Sequence, residues 1–143
     1  MTAAWLSAAV LVAFPVVFVA FWSAVCWLIS RFGWATLAAR WATELPPPRS
    51  SLGMCTGRVG LANYKGTLEL AADREALWMD VMVLFRPGHR PLRIPWSEVE
   101  ALEGGGWRLF RAQRLRAGGV EIQLREGDWA ALQRAAGRGG DAP

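Results

Sequence analysis

The side chains best suited to chemistry fall in one short stretch. His89, the single histidine, sits in Pro87-Gly88-His89-Arg90-Pro91, with Arg86 before it and Arg93 after it. An imidazole titrates near neutral pH, but as a general base it needs a nucleophile to activate or a carboxylate to orient it. The local sequence offers neither. No Ser/His/Asp set, metal-ligand spacing or P-loop occurs in the chain. His89 is therefore expected as a turn residue at a hairpin tip, with no catalytic, cofactor or metal role assigned. Gly57-x-x-Gly60 and Gly104-Gly105-Gly106 fit turn or bulge glycines better than a phosphate cradle.

The same stretch does offer a contact surface. If Leu77, Met79, Val81 and Val83 face a core, then period two turns Trp78, Met82 and Leu84 outward. An outward apolar strip beside Arg86, His89, Arg90 and Arg93 suits anionic lipid headgroups, or a groove for a protein partner. The alternative is that a bulge or a helix covers the strip. Arg58 and Lys65 flank an earlier hairpin and form a second, sparser pair of cations.

The elements that must carry this surface begin with residues 3–29, which hold no Asp, Glu, Lys, Arg or His. Thirteen of these residues are Leu, Ile, Val or Phe. At about −0.3 to −0.6 kcal/mol each, they supply roughly −4 to −8 kcal/mol towards membrane insertion. At about 1.5 Å per residue the segment reaches ~40 Å, more than the ~30 Å hydrocarbon core. It lacks the basic start and short apolar centre of a signal peptide. Residues 1–30 are thus expected to be a transmembrane helix, kinked at Pro15.

All sixteen Lys and Arg follow the span. The positive-inside bias predicts an outside N-terminus and a cytoplasmic C-terminal portion. Trp5 at one end, and Trp22, Trp27, Arg31, Trp34 and Trp41 at the other, are expected as interfacial anchors. The net charge of +4 is dispersed, which argues against nucleic acid and for a mild attraction to an anionic leaflet. Cys26 falls in the span and Cys55 beyond it, so no disulfide framework is expected. Fifteen of the sixteen basic residues are Arg, as in proteins of GC-rich bacteria.

Residues 31–50 read as a juxtamembrane helix and a Pro-rich linker. Trp34, Leu37, Ala38 and Trp41 share one helical face, which rests either on the membrane surface or on the soluble domain. Pro46, Pro47 and Pro48 force an extended segment. From residue 51 the period becomes two. Strands are expected over 52–61, 67–71, 76–85, 92–96 and 107–110, with a turn at 62–66. The second hairpin, folded about Asp73 and Arg74, sets Leu70 opposite Leu77 and Leu68 opposite Met79. Ser97 and Glu100 form a capping-box signature for a short helical turn. Gly118-Gly119 closes a further hairpin, with Leu115 across from Ile122 and Arg116 paired with Glu121. Asp128 is a plausible N-cap for a closing helix over 129–136, and residues 138–143 form a frayed tail.

The predicted fold is α+β: an N-terminal transmembrane helix, then over residues 51–137 a small antiparallel β-barrel or sandwich with a C-terminal capping helix. That order is pleckstrin-homology-like (PH-like). Phe85-Arg86-Pro87-Gly88-His89, Leu92-x-Ile94-Pro95-Trp96-Ser97-Glu98 and the Trp34, Leu37, Ala38 pattern resemble a group of small bacterial single-pass membrane proteins with a domain similar to PH or GRAM modules. The resemblance implies the bacterial inner membrane and a binding role, and it carries no catalytic residue. The expected function is a non-catalytic, membrane-anchored cytoplasmic module that binds anionic lipid headgroups or a protein partner. The alternative is an accessory subunit of a larger membrane complex, assembled through the span.

Overall fold

The computed structural model describes residues 2–49, 51–103 and 112–138. Ala3–Ser30 is one helix, α1, which runs through Pro15 and is long and apolar enough to cross a membrane. Its side chains are exposed from residue 3 to residue 21. After a three-residue turn comes α2 (Trp34–Trp41), whose apolar face turns onto the β domain. Seven strands follow: β1 (Ser51–Val59), β2 (Ala62–Ala72), β3 (Ala76–Val81), β4 (Leu92–Pro95), β5 (Glu100–Leu102), β6 (Ala112–Ala117) and β7 (Val120–Arg125). The chain then closes with α3 (Glu126–Ala135).

The strands form one antiparallel sheet in the order β4-β3-β2-β1-β7-β6-β5, curled into a half-barrel. Alternate residues of each strand line its inner side, as period two requires: Leu68 and Leu70, Leu77 and Met79, Leu92 and Ile94, Ile122 and Leu124. α2 covers β4, and its end is tied down where the Thr43 N–H donates to the Pro91 carbonyl at 2.8 Å. α3 lays Leu132 and Ala136 across β2, β6 and β7. Trp129 meets Trp96 edge-on, with ring centroids 5.9 Å apart.

The hairpin at Gly118-Gly119 has the expected register, Leu115 to Ile122 and Arg116 to Glu121. Glu121, however, is held by Arg114, whose Nε lies 2.6 Å from Oε1. The β2–β3 hairpin pairs Leu70 with Met79 and Leu68 with Val81, two residues from the expected register. The Asp73 carboxylate accepts the N–H groups of Glu75 and Ala76 at 2.8 Å, centring the turn one residue later. A two-residue shift keeps each side chain on its face, so the core set survives. Burial alone would raise the Asp73 carboxyl pKa. Those two bonds and one from Trp78 Nε1 hold it below its ordinary value instead.

Other boundaries move. Residues 62–66, expected as a turn, begin β2; the turn is Gly60-Leu61, where the Leu61 N–H donates to the Phe32 carbonyl at 2.9 Å. β3 stops at Val81, and Val83–Phe85 coils into a 3-10 turn. The Ser97–Glu100 signature yields only a 3-10 turn, Trp96–Glu98, with no side-chain cap. α3 starts at Glu126, so Asp128 sits in its first turn, where an acid favours the helix dipole. The strand expected at 107–110 and the end of the expected tail, 139–143, fall outside the described residues.

Candidate functional site

α1 does not hang from a linker. Trp22, Cys26 and Ser30 recur every four residues along one face of its last two turns, and that face packs on the domain. Trp22 Nε1 donates to the Leu84 carbonyl at 2.6 Å, and its ring lies 5.3 Å from that of Phe85. Further along, Gly88 abuts the helix backbone. At φ +76°, it would place a Cβ 2.8 Å from Trp27 Cα and from Ser30 Oγ. Only glycine permits both that dihedral and that approach.

His89, expected at an exposed hairpin tip, is 2% exposed. It lies between Trp34 and Tyr64, with ring centroids at 5.2 and 5.6 Å. Its Nδ1 is 3.0 Å from the Pro87 carbonyl, which only accepts, so Nδ1 carries the proton. Nε2 is then the acceptor for the Tyr64 hydroxyl at 2.8 Å. Burial lowers the His89 pKa and raises that of Tyr64, which keeps both neutral. The Trp34 indole N–H donates to the Arg90 carbonyl at 2.9 Å. The group is a satisfied clamp that ties α2, β2 and residues 86–90 together beside the end of α1. Among the described residues, no three His, Cys, Asp or Glu side chains converge as metal ligands.

The contact surface expected from the sequence is divided. Trp78 is buried: its Nε1 bonds the Asp73 carboxylate, and the Arg93 guanidinium lies 5.5 Å from its ring centroid. Arg93 is also paired with Glu75 at 2.9 Å, and Arg86 with Asp80 at 3.1 Å. Met82 is half-buried, whereas Leu84 is 65% exposed. Val83, assigned by alternation to the core, is 71% exposed because the strand ends two residues earlier.

The expected anchors divide as well. Trp5, Trp27 and Arg31 are exposed, with Arg31 stacked 4.3 Å from the Trp27 ring centroid. Trp34 is fully buried and Trp41 packs over Gly118, because the face they share covers the sheet.

Arg31 and Arg90 flank a cleft of about 200 Å³ between the end of α1, α2 and Gly88; Trp27, Ser30 and Ala38 also line it. Both arginines are exposed, and neither forms an ion pair among the described residues. A second cavity, about 570 Å³, opens near Thr56, Asn63, Lys65 and Arg125. Arg58 borders it, with its Nε donated to the Gly60 carbonyl at 3.1 Å. Cys55 is buried nearby; burial, then the Asp128 carboxylate, push its thiol up to about 11.

Sequence reasoning takes Trp22 only as an interfacial anchor, misses Ser30 and Tyr64, and puts Val83 in the core. The spacing of Trp22, Cys26 and Ser30 was the available signal for the first two, since two small, weakly polar residues share that face of an apolar helix. Comparison with protein-family models, with curated proteins and with solved structures finds no match.

Proposed function

We propose that this chain is a membrane-anchored, non-catalytic module that binds anionic lipid headgroups through the arginines around the end of α1. One observation carries it. The exposed apolar length of α1 ends at a domain that grips its last two turns, and the unpaired Arg31 and Arg90 open a cleft at that junction. A helix that leaves so much apolar surface uncovered needs a non-aqueous solvent. Cations at its end meet the phosphate layer of that solvent. With every Lys and Arg after residue 30, the domain faces the cytoplasm, and the resemblance to bacterial single-pass proteins points to the inner membrane. The curled antiparallel sheet with a closing helix supports a PH-like reading of the domain.

Each surface arginine contributes about 1 kcal/mol to an anionic membrane. Replacing Arg31 and Arg90 together with Gln should weaken retention of phosphatidylglycerol by the purified full chain about thirtyfold. The loss should shrink at high salt. Unchanged retention, read by native mass spectrometry, overturns the headgroup role. Recovery of the full chain as a detergent-free soluble monomer overturns the anchor.

One observation favours the accessory-subunit reading. Phe14, Phe18 and Trp22 stack at four-residue spacing along α1, with centroids 6.2 and 6.4 Å apart, an aromatic seam available to a partner helix. Co-purification of another membrane protein that is lost on Phe14→Ala/Phe18→Ala supports it.

A further inference from the structure

Val83 and Leu84 form the tip of the 3-10 turn, and among the described residues they stand exposed. Their height beside α1 decides what covers them. Trp22, bonded to the Leu84 carbonyl, stands eight residues before the end of the helix, about 12 Å along its axis. Gly88 touches Trp27 and Ser30. Residues 84–88 therefore run alongside the last two turns of α1 in the same direction as the helix, and the tip, where they begin, stands about that length before the helix end.

The helix itself supplies the scale. Trp5 to Trp22 is seventeen residues, about 26 Å, and Trp5 to Trp27 is twenty-two, about 33 Å. With Trp5 at one interface, a ~30 Å hydrocarbon core ends between Trp22 and Trp27. The tip stands level with that boundary. Its neighbouring acid, Asp80, is paired with Arg86.

We propose that Val83 and Leu84 are a second membrane contact, a wedge seated among lipid chains at the headgroup–acyl boundary beside α1. This rests on the reading that α1 spans the bilayer. The wedge and the helix give the domain two points of attachment. Together they set its orientation in a bilayer of given thickness, with Arg31 and Arg90 at phosphate depth.

The test uses the full chain with an environment-sensitive fluorophore at Leu84→Cys, at Val12→Cys in mid-helix, or at Met54→Cys on an exposed strand position. The native Cys26 and Cys55 are buried, and the labelled wild type serves as the blank. Each protein is labelled in detergent and reconstituted into phosphatidylcholine–phosphatidylglycerol vesicles carrying nitroxide lipids of graded depth. The expected result is a blue shift at Leu84 with quenching strongest for nitroxides near the top of the acyl chain. Val12 should be quenched by deep nitroxides and Met54 by none. If Val12 is quenched while Leu84 behaves like Met54, the wedge fails and the span stands. If Val12 is not quenched, the span fails and the wedge with it.

Discussion

His89 shows how little a residue's local sequence says of its setting. Flanked by Pro, Gly and Arg, it has the composition of a solvated turn. It is buried because Trp34, 55 positions earlier, and Tyr64, 25 positions earlier, close over it. A consequence follows for pH. Burial lowers the pKa of His89 in the folded state below its ordinary 6.5, so the unfolded chain takes up the proton first. Stability is then full above about pH 6.5 and falls as pH drops through and below that value, by at most about 1.4 kcal/mol per pH unit. It is the only histidine in the chain, so the thermal midpoint in neutral detergent should drop between pH 7.5 and 5.5 in the wild type and stay nearly flat in His89→Gln. A flat wild-type profile refutes the assignment. Arg93 and Arg86 teach the same lesson: listing cations located a basic region, but only the fold separates those bound to Glu75 and Asp80 from the unpaired Arg31 and Arg90.

At the scale of elements, the junction of α1 with the domain turns on Gly88. Gly88→Ala should disrupt it, since a left-handed non-glycine residue costs about 1–3 kcal/mol and the new methyl also meets Trp27 and Ser30. Loosening should raise the alkylation rate of Cys26, now buried at that contact. Gly66→Ala is the control: its φ is +64° but nothing lies within 4 Å, so it should strain the backbone without exposing Cys26. Equal alkylation in both variants would show that the contact does not hold the helix. Elements governed by local chemistry were legible in the sequence. The Gly118-Gly119 hairpin, the period-two strands and the long apolar helix follow from turn residues and patterning. The Gly60-Leu61 turn was not, because it is set by the Phe32 carbonyl across the fold, while Asn63, Lys65 and Gly66 carry turn-like composition into a strand. Val83 was misplaced for a related reason: alternation says which way a strand residue points, but not where the strand stops.

For the whole molecule, the boundary between the apolar helix and the domain lies earlier than the Pro-rich segment implies. α2 belongs to the core, where Trp34 and Leu37 are fully buried. Truncating a Trp and a Leu in a core costs about 3–5 and 2–5 kcal/mol. Their joint loss is comparable with the 5–15 kcal/mol total stability of a small domain. A chain beginning at residue 51 should therefore lack a cooperative thermal transition, whereas one beginning at residue 31 should keep it. Equal cooperativity in both would return α2 to the role of a juxtamembrane helix. The outline of one long apolar helix and a β-rich domain could be drawn from patterning alone. The seat of α2 could not, because an amphipathic face fits a sheet as well as a bilayer surface.

The grip of the domain on Trp22, Cys26 and Ser30 also makes the helix a lever. A rod about 42 Å long, clamped at one end by its own cargo, transmits every change of tilt to that cargo. A helix that spans a bilayer tilts when the bilayer's thickness changes. The sheet would swing with it, turning a mechanical property of the lipid into the angle at which a protein surface is presented.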